Sequence, residues 1–433
     1  MKATPPTSTV GRVAFSASRV RVLLAAAVVA TFLGGLAQAV VPEGTTLPGP
    51  VAVGAVDVRQ NAVRDLLARR AAALRDRDET AFLATIDPDA SPVFRDRQRG
   101  LFHNLAGVPL AEWSYQLDTG TTATPSSRPA ADELWAPGVQ LRYRLLGVDA
   151  EPSARPMGYL FARRGDRWFL TSDTDVGTTW RGPWDFGPCH VLTGRSGLVL
   201  SHPGGEALAA RVLAELDSAV AVVTEVWGTA WSRHVAVLVP SGPEEMQSLV
   251  GPAFAVGSIA GVAVAEQIDP VAHTARGQRV VLNPASATAL SPLSLRVLLR
   301  HEITHIAARG DTADGAPMWL LEGFADYVGY RGSDVPAAKA APALAAQVRT
   351  ALPTALPADA DFRGSGMDLA YQQAWSVTRY LAQRLGEPGL VRLYHALAAQ
   401  KSDVDGVLRD VLGVDRAGLT EGWREFLRVE FAE

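Results

Sequence analysis

His301, Glu302 and His305 stand in the run His301-Glu302-Ile303-Thr304-His305, which has the spacing H-E-x-x-H. On a helix, histidines four residues apart lie on one face, where both imidazoles can reach a single divalent ion. The intervening Glu302 then sits beside that ion, placed to take a proton from a water bound there. Glu322 follows in the run Trp319-Leu320-Leu321-Glu322-Gly323-Phe324-Ala325-Asp326. A third, oxygen ligand from this second segment would leave one corner of a tetrahedron open. An open corner marks a catalytic zinc site, not a structural one.

These side chains must be carried by two helices. Ser291-Pro292 is a helix start, with Ser as the cap and Pro at the first helical position. Leu295, Leu298, Leu299, Ile303 and Ile306 recur at helical spacing, and Gly310 marks the stop. The histidines therefore fall in the last turns of a buried apolar helix. Two imidazoles and a carboxylate are costly to bury unless they are paired or bind an ion. An isolated glutamate at 322 would read as an ordinary solvated helix carboxylate, but its neighbours are apolar from Met318 to Leu321 and again at Phe324 and Ala325. A carboxylate in such a stretch requires a partner. Asp326 lies one turn further on the same face, positioned to accept the free N–H of a zinc-binding histidine and so to fix its tautomer.

HEITH followed by WLLEGFADY resembles the gluzincin class of zinc metallopeptidases, and most nearly the peptidase MA-like group related to the M1 aminopeptidases and thermolysin. The resemblance implies Zn²⁺ held by His301, His305 and Glu322, with Glu302 as general base and Asp326 hydrogen-bonded to the first histidine. The stretch Asp368-Leu369-Ala370-Tyr371-Gln372-Gln373-Ala374-Trp375-Ser376 resembles the Y-x-x-A/S-W segment of that group and implies Tyr371 as the group that stabilises the oxyanion. The likeness runs over roughly residues 190 to 430 and is specific at the two zinc helices. There is no G-x-M-E-N exopeptidase signature, so aminopeptidase action is not implied.

With 433 residues, 48% hydrophobic and 20% charged, the chain can fill a sizeable core and has room for two domains. A formal charge of -4 gives no sign of nucleic-acid binding, and no such partner is expected. Arg12, Arg19 and Arg21 precede an uncharged run from Val22 to Val41. This reads as a signal peptide, with Ala37-Gln38-Ala39 as its cleavage site, or as a membrane-spanning signal anchor. Either way the arginines keep that end in the cytoplasm and the remainder is exported, secreted or held at the membrane through this segment. Cys189 is the only cysteine, so no intrachain disulfide forms, and a buried structural thiol is expected.

Residues 1–50 comprise this segment and a Pro/Gly-rich linker. Over 51–188, Val63, Leu66, Leu67 and Leu74 predict one face of a long helix, and Asp78 caps a second that runs through Ile86. Period-two patterning follows from Trp135 to Val148, then a hairpin from Tyr159 to Leu170 around Arg164-Gly165-Asp166. Helices followed by a curved antiparallel sheet suggest an α+β domain resembling the NTF2-like cone, which reads as a spacer or docking module. Residues 189–433 form the zincin-like domain. Its apolar runs Val191–Leu200, Val235–Val239, Ile259–Ala265 and Val280–Leu282 predict a small sheet on the zinc helix, with a helix from Glu206 to about Val226 between the first two. The part from Tyr371 onward is expected to be helical. By the resemblance, an edge strand beside the site, here Ala260–Ala263, would bind extended substrate. The reading is an exported or membrane-anchored zinc metallopeptidase acting on peptides or proteins. A non-catalytic binding or scaffold protein on the same fold, or zinc hydrolysis of a non-peptide amide, stands beside it.

Overall fold

The computed structural model describes residues 53–177, 179–251, 259–269, 271–399 and 403–431. The N-terminal apolar run and linker lie outside them. Among the described residues, no helix is long and apolar enough to cross a membrane.

The chain begins with α1 (Val53–Arg75), α2 (Glu79–Leu83) and α3 (Pro92–Asn104). Strands β1 (Leu110–Thr122), β2 (Glu133–Trp135), β3 (Pro137–Leu145), β4 (Ser153–Met157), β5 (Leu160–Arg164) and β6 (Arg167–Ser172) follow. Asp78 caps α2 as expected, accepting from the Ala81 amide. That helix stops before Ile86, because Thr85 and Asp87 exchange backbone hydrogen bonds with Leu170 on β6. Pairing with a distant strand replaces the last turn of the helix. The strands form two antiparallel three-stranded sheets, ordered β2-β5-β6 and β1-β3-β4, where one continuous curved sheet was expected. The chain crosses between them at Ala136-Pro137, where proline lacks the N–H a ladder needs. It crosses again at Gly158, where a β-carbon would lie 1.8 Å from the carbonyl oxygen of Val176.

The second half contributes β7 (His190–Gly194), β8 (Gly197–Ser201), α4 (Glu206–Trp227), β9 (Val235–Leu238), α5 (Pro243–Val250), β10 (Gly261–Val264), β11 (Gln267–Asp269), β12 (Thr274–Arg276) and β13 (Arg279–Leu282). Helices α6 (Pro284–Ala287), α7 (Pro292–Ala308), α8 (Met318–Tyr330), α9 (Ala337–Ala340), α10 (Pro342–Val348), α11 (Met367–Ala398), α12 (Val404–Leu412) and α13 (Arg416–Glu430) complete it. Long α11 is bent at Gly386, whose φ is 67°. The run Val191–Leu200, expected as one strand, is a hairpin that turns tightly between Gly194 and Gly197. The five-stranded sheet is ordered β10-β13-β9-β8-β7. Its three inner strands are parallel, and both edge strands are antiparallel to their neighbours.

The three inner strands are covered on both faces, which is why they read as unbroken apolar runs. Val199, Val235, Val237, Val280 and Leu282 face the core built with α4, α7, α8 and α11. Their neighbours Leu198, Leu200, Ala236, Leu238, Val262 and Val281 point the other way, into a core shared with Trp113, Leu141, Tyr143 and Trp184 of the N-terminal half. One apolar core therefore runs across the boundary expected near residue 188.

Candidate metal centre

Helix α7 starts as its sequence requires. The Ser291 side chain accepts from the Ser294 amide and Pro292 occupies the first turn. At the other end, Gln278 donates to the Ile306 carbonyl and Thr312 to that of Ala308, so two of the terminal carbonyls find side-chain donors. Gly310 does more than end the helix. A β-carbon there would lie 2.4 Å from the carbonyl oxygen of His273, on the turn joining β11 and β12. Helix α8 is capped by Asp359, which accepts from the Met318 amide. Its Gly323 allows close contact with α11, since a β-carbon there would meet the Ala374 carbonyl at 2.4 Å and the Thr378 hydroxyl at 2.5 Å.

These two helices bring His301, His305 and Glu322 to one point. Nε2 of His301 lies 3.1 Å from Nε2 of His305. Oε2 of Glu322 lies 3.3 Å from the first nitrogen and 3.6 Å from the second. Ligands bound about 2.0–2.2 Å from a tetrahedral ion stand roughly 3.3–3.5 Å apart, and the three separations bracket that value. Among the described residues, this is the only group of three such side chains spaced to hold a metal. All three are buried, at 2%, 6% and 0% exposure. Neither oxygen of Glu322 has a hydrogen-bond donor of normal geometry. A buried carboxylate facing two imidazoles without such a donor fits a metal ligand.

Asp326 lies one turn beyond Glu322 on α8, against the first histidine. Its Oδ1 lies 2.8 Å from Nδ1 of His301. That contact can hold a proton on Nδ1, and it leaves Nε2 facing His305 and Glu322. The pocket favours positive charge. Burial works against a protonated His301, but Asp326, Glu322 and Glu302 outweigh it and raise its pKa well above the usual value. Burial likewise works to raise the Glu322 pKa, and is outweighed by His305 and His301, which hold it down at about 2.

Glu302 is fully buried, and neither of its oxygens has a hydrogen-bond partner of normal geometry. Burial raises its pKa despite the opposing charges of His301 and His305. Edge strand β10 packs along α7, and the Ala263 backbone moderates that rise. Strand β10 starts at Gly261, one residue later than the start of the expected stretch Ala260–Ala263, and shares residues 261–263 with it. Tyr371 is buried on α11 with its ring centroid 5.2 Å from that of Phe362. It stands one turn ahead of Ala374, which packs on Gly323. Cys189 is a free, buried thiol pushed up to about 12 by burial.

Sequence reasoning missed Gln278 and Asp359, which close the helix ends that hold the site. It also missed Glu266, just after β10, which accepts from Tyr143 and Arg155 of the N-terminal half. These partners are up to 123 positions apart, and no local pattern announces them.

Residues 292–429 match the family model described as the Peptidase MA superfamily. That segment carries both helices of the candidate site and Tyr371. No curated protein matches the chain. Among solved structures, the chain is similar in part to a mutant of a two-domain M1 zinc metallopeptidase bound to L-arginine, at 13% identity over 73% of this chain and 61% of that one, with a TM-score of 0.34. It is also similar to a mutant M1 zinc metallopeptidase of Deinococcus radiodurans bound to a Tyr-Ser-Ala substrate (13% identity, 72% and 61%, TM-score 0.31). Yeast LTA4 hydrolase gives 11% identity, 75% and 61%, with a TM-score of 0.32. The chain thus spans about three fifths of the length of each.

Proposed function

We propose that this protein is a zinc-dependent peptidase that cleaves peptide or protein substrates. The observation that carries the reading is the convergence of His301, His305 and Glu322 beside the buried carboxylate of Glu302. His301, His305 and Glu322 would hold the ion. When bound, zinc would supply the positive charge that acidifies water and polarises a carbonyl. Glu302 accepts the proton of the attacking water and returns it to the departing amine. Its burial suits this work, because a carboxylate with a raised pKa is a better proton acceptor than a solvated one. Asp326 keeps the His301 ring aimed. Tyr371 is our candidate donor to the developing oxyanion. The outer edge of β10, unpaired among the described residues, would take an extended peptide as an added strand, carrying the scissile bond past Glu302.

Export rests on the N-terminal sequence alone, where arginines precede an apolar run. We read the protein as secreted or held at the membrane by that segment. The reading is tested by measuring bound metal together with hydrolysis of casein, with and without a chelator. Stoichiometric zinc and chelator-sensitive cleavage are expected. A zinc-loaded protein inert towards casein and a diverse peptide library would instead favour a binding or scaffold protein on a peptidase-like fold.

A further inference from the structure

The N-terminal half has a surface cleft of about 380 Å³ beside Leu83, Arg95 and Phe169, but little room in its interior next to the five-stranded sheet. Between α3 and its strands, Trp113, Tyr159, Trp180 and Trp184 leave a space of about 10 Å³, and about 20 Å³ remains where it meets the five-stranded sheet. Neither admits more than a water. What this half presents to the sheet is a set of charged groups aimed at one rung. Val264, the last residue of β10, pairs with Arg279 of β13. Arg279 makes a two-pronged ion pair with Asp149, both contacts at 2.7 Å, and each side chain is only 5% exposed. Two residues beyond β10, Glu266 accepts from the Tyr143 hydroxyl at 3.0 Å and pairs with Arg155 at 2.7 Å. Arg155 is itself held over the Trp180 ring, on which Tyr143 stacks.

Apolar contact alone would hold the two halves together, and buried ion pairs add little to stability relative to apolar replacements. What such pairs can supply is a defined position. We propose that Arg155, Tyr143 and Asp149 are positioning residues, which fix β10 and β13 in the register that carries Ala263 past Glu302. The N-terminal half is then a buttress of the substrate strand. The inference rests on β10 being that strand.

The test compares the full-length wild type with Arg155→Gln, Arg155→Lys and Tyr143→Phe, with and without zinc. Amide exchange is followed in segments 261–264 and 197–201. In Arg155→Gln, exchange at 261–264 should rise about tenfold while 197–201 keeps its rate. Arg155→Lys should recover part of that protection, and Tyr143→Phe should show a smaller rise. With an extended peptide, KM should increase several-fold and kcat should change less. Unchanged exchange at 261–264 in folded Arg155→Gln would overturn the inference, as would an equal rise in both segments. Should Arg155→Gln not fold, unchanged exchange in Tyr143→Phe has the same force. A wild type that cleaves nothing ends the catalytic reading separately, and the exchange comparison still decides whether these residues fix β10.

Discussion

Nδ1 of His301 lies 2.8 Å from Oδ1 of Asp326, one turn of α8 beyond Glu322. A single helix therefore supplies both the carboxylate at the metal centre and the group that aims an imidazole of the neighbouring helix. Asp326→Ala keeps the helix but frees that ring. Zinc affinity should fall roughly 10–100-fold, read by competition with a chelator. Wild-type affinity in this variant would mean that packing alone orients His301.

Gly323 is needed for space. An added methyl would lie 2.4 Å from the Ala374 carbonyl and force α8 and α11 apart. Gly323→Ala should cost about 1–3 kcal/mol in denaturant unfolding. Gly100, inside α3 with nothing within 4 Å of an added β-carbon, is the opposite case. There the same substitution should stabilise by roughly 0.5–1 kcal/mol.

Asp149 and Arg279 form a buried pair linking the two halves of the chain. Asp149→Ala leaves a guanidinium buried without its partner and should cost about 3–5 kcal/mol. Glu425→Ala removes an exposed partner of Arg428 and should cost less than about 1 kcal/mol. Equal losses in the two variants would contradict the packing described for the interface.

His202 gives stability a dependence on pH. Its Nδ1 faces the Pro188 carbonyl at 3.0 Å and its Nε2 faces Glu245 at 2.9 Å. Both neighbours are acceptors, so the ring satisfies both only when doubly protonated. Burial alone would lower its pKa, but the hydrogen bond and charge of Glu245 outweigh burial and raise it. The stabilisation is therefore complete below the unfolded value of about 6.5 and is lost as pH rises through the higher folded value. The stability gap between wild type and His202→Gln should be widest in mild acid and narrow towards alkaline pH.

The candidate metal site was legible because its residues are local in sequence. His301, Glu302 and His305 share one helix, Glu322 and Asp326 share the next, and apolar neighbours announced that both would be buried. Strand runs such as Val235–Val239 were equally plain, since a strand covered on both faces needs apolar residues throughout. Other features depended on distant partners. Ile86 left its helix for a backbone pairing with Leu170 on β6. Ala136-Pro137 and Gly158 divided an expected single sheet into two. The shared core beneath Leu200 and Leu238 could not be read from either half alone, because alternation shows that a residue is buried but not what covers it.

The most direct measurement is zinc content and peptide hydrolysis of Glu302→Gln side by side with wild type. The glutamine keeps the shape of the side chain but cannot accept the water's proton. Zinc should remain stoichiometric while kcat falls by about 10²–10⁴-fold. Wild-type turnover in the zinc-loaded variant would show that Glu302 is not the base, and would contradict the catalytic role assigned to this site.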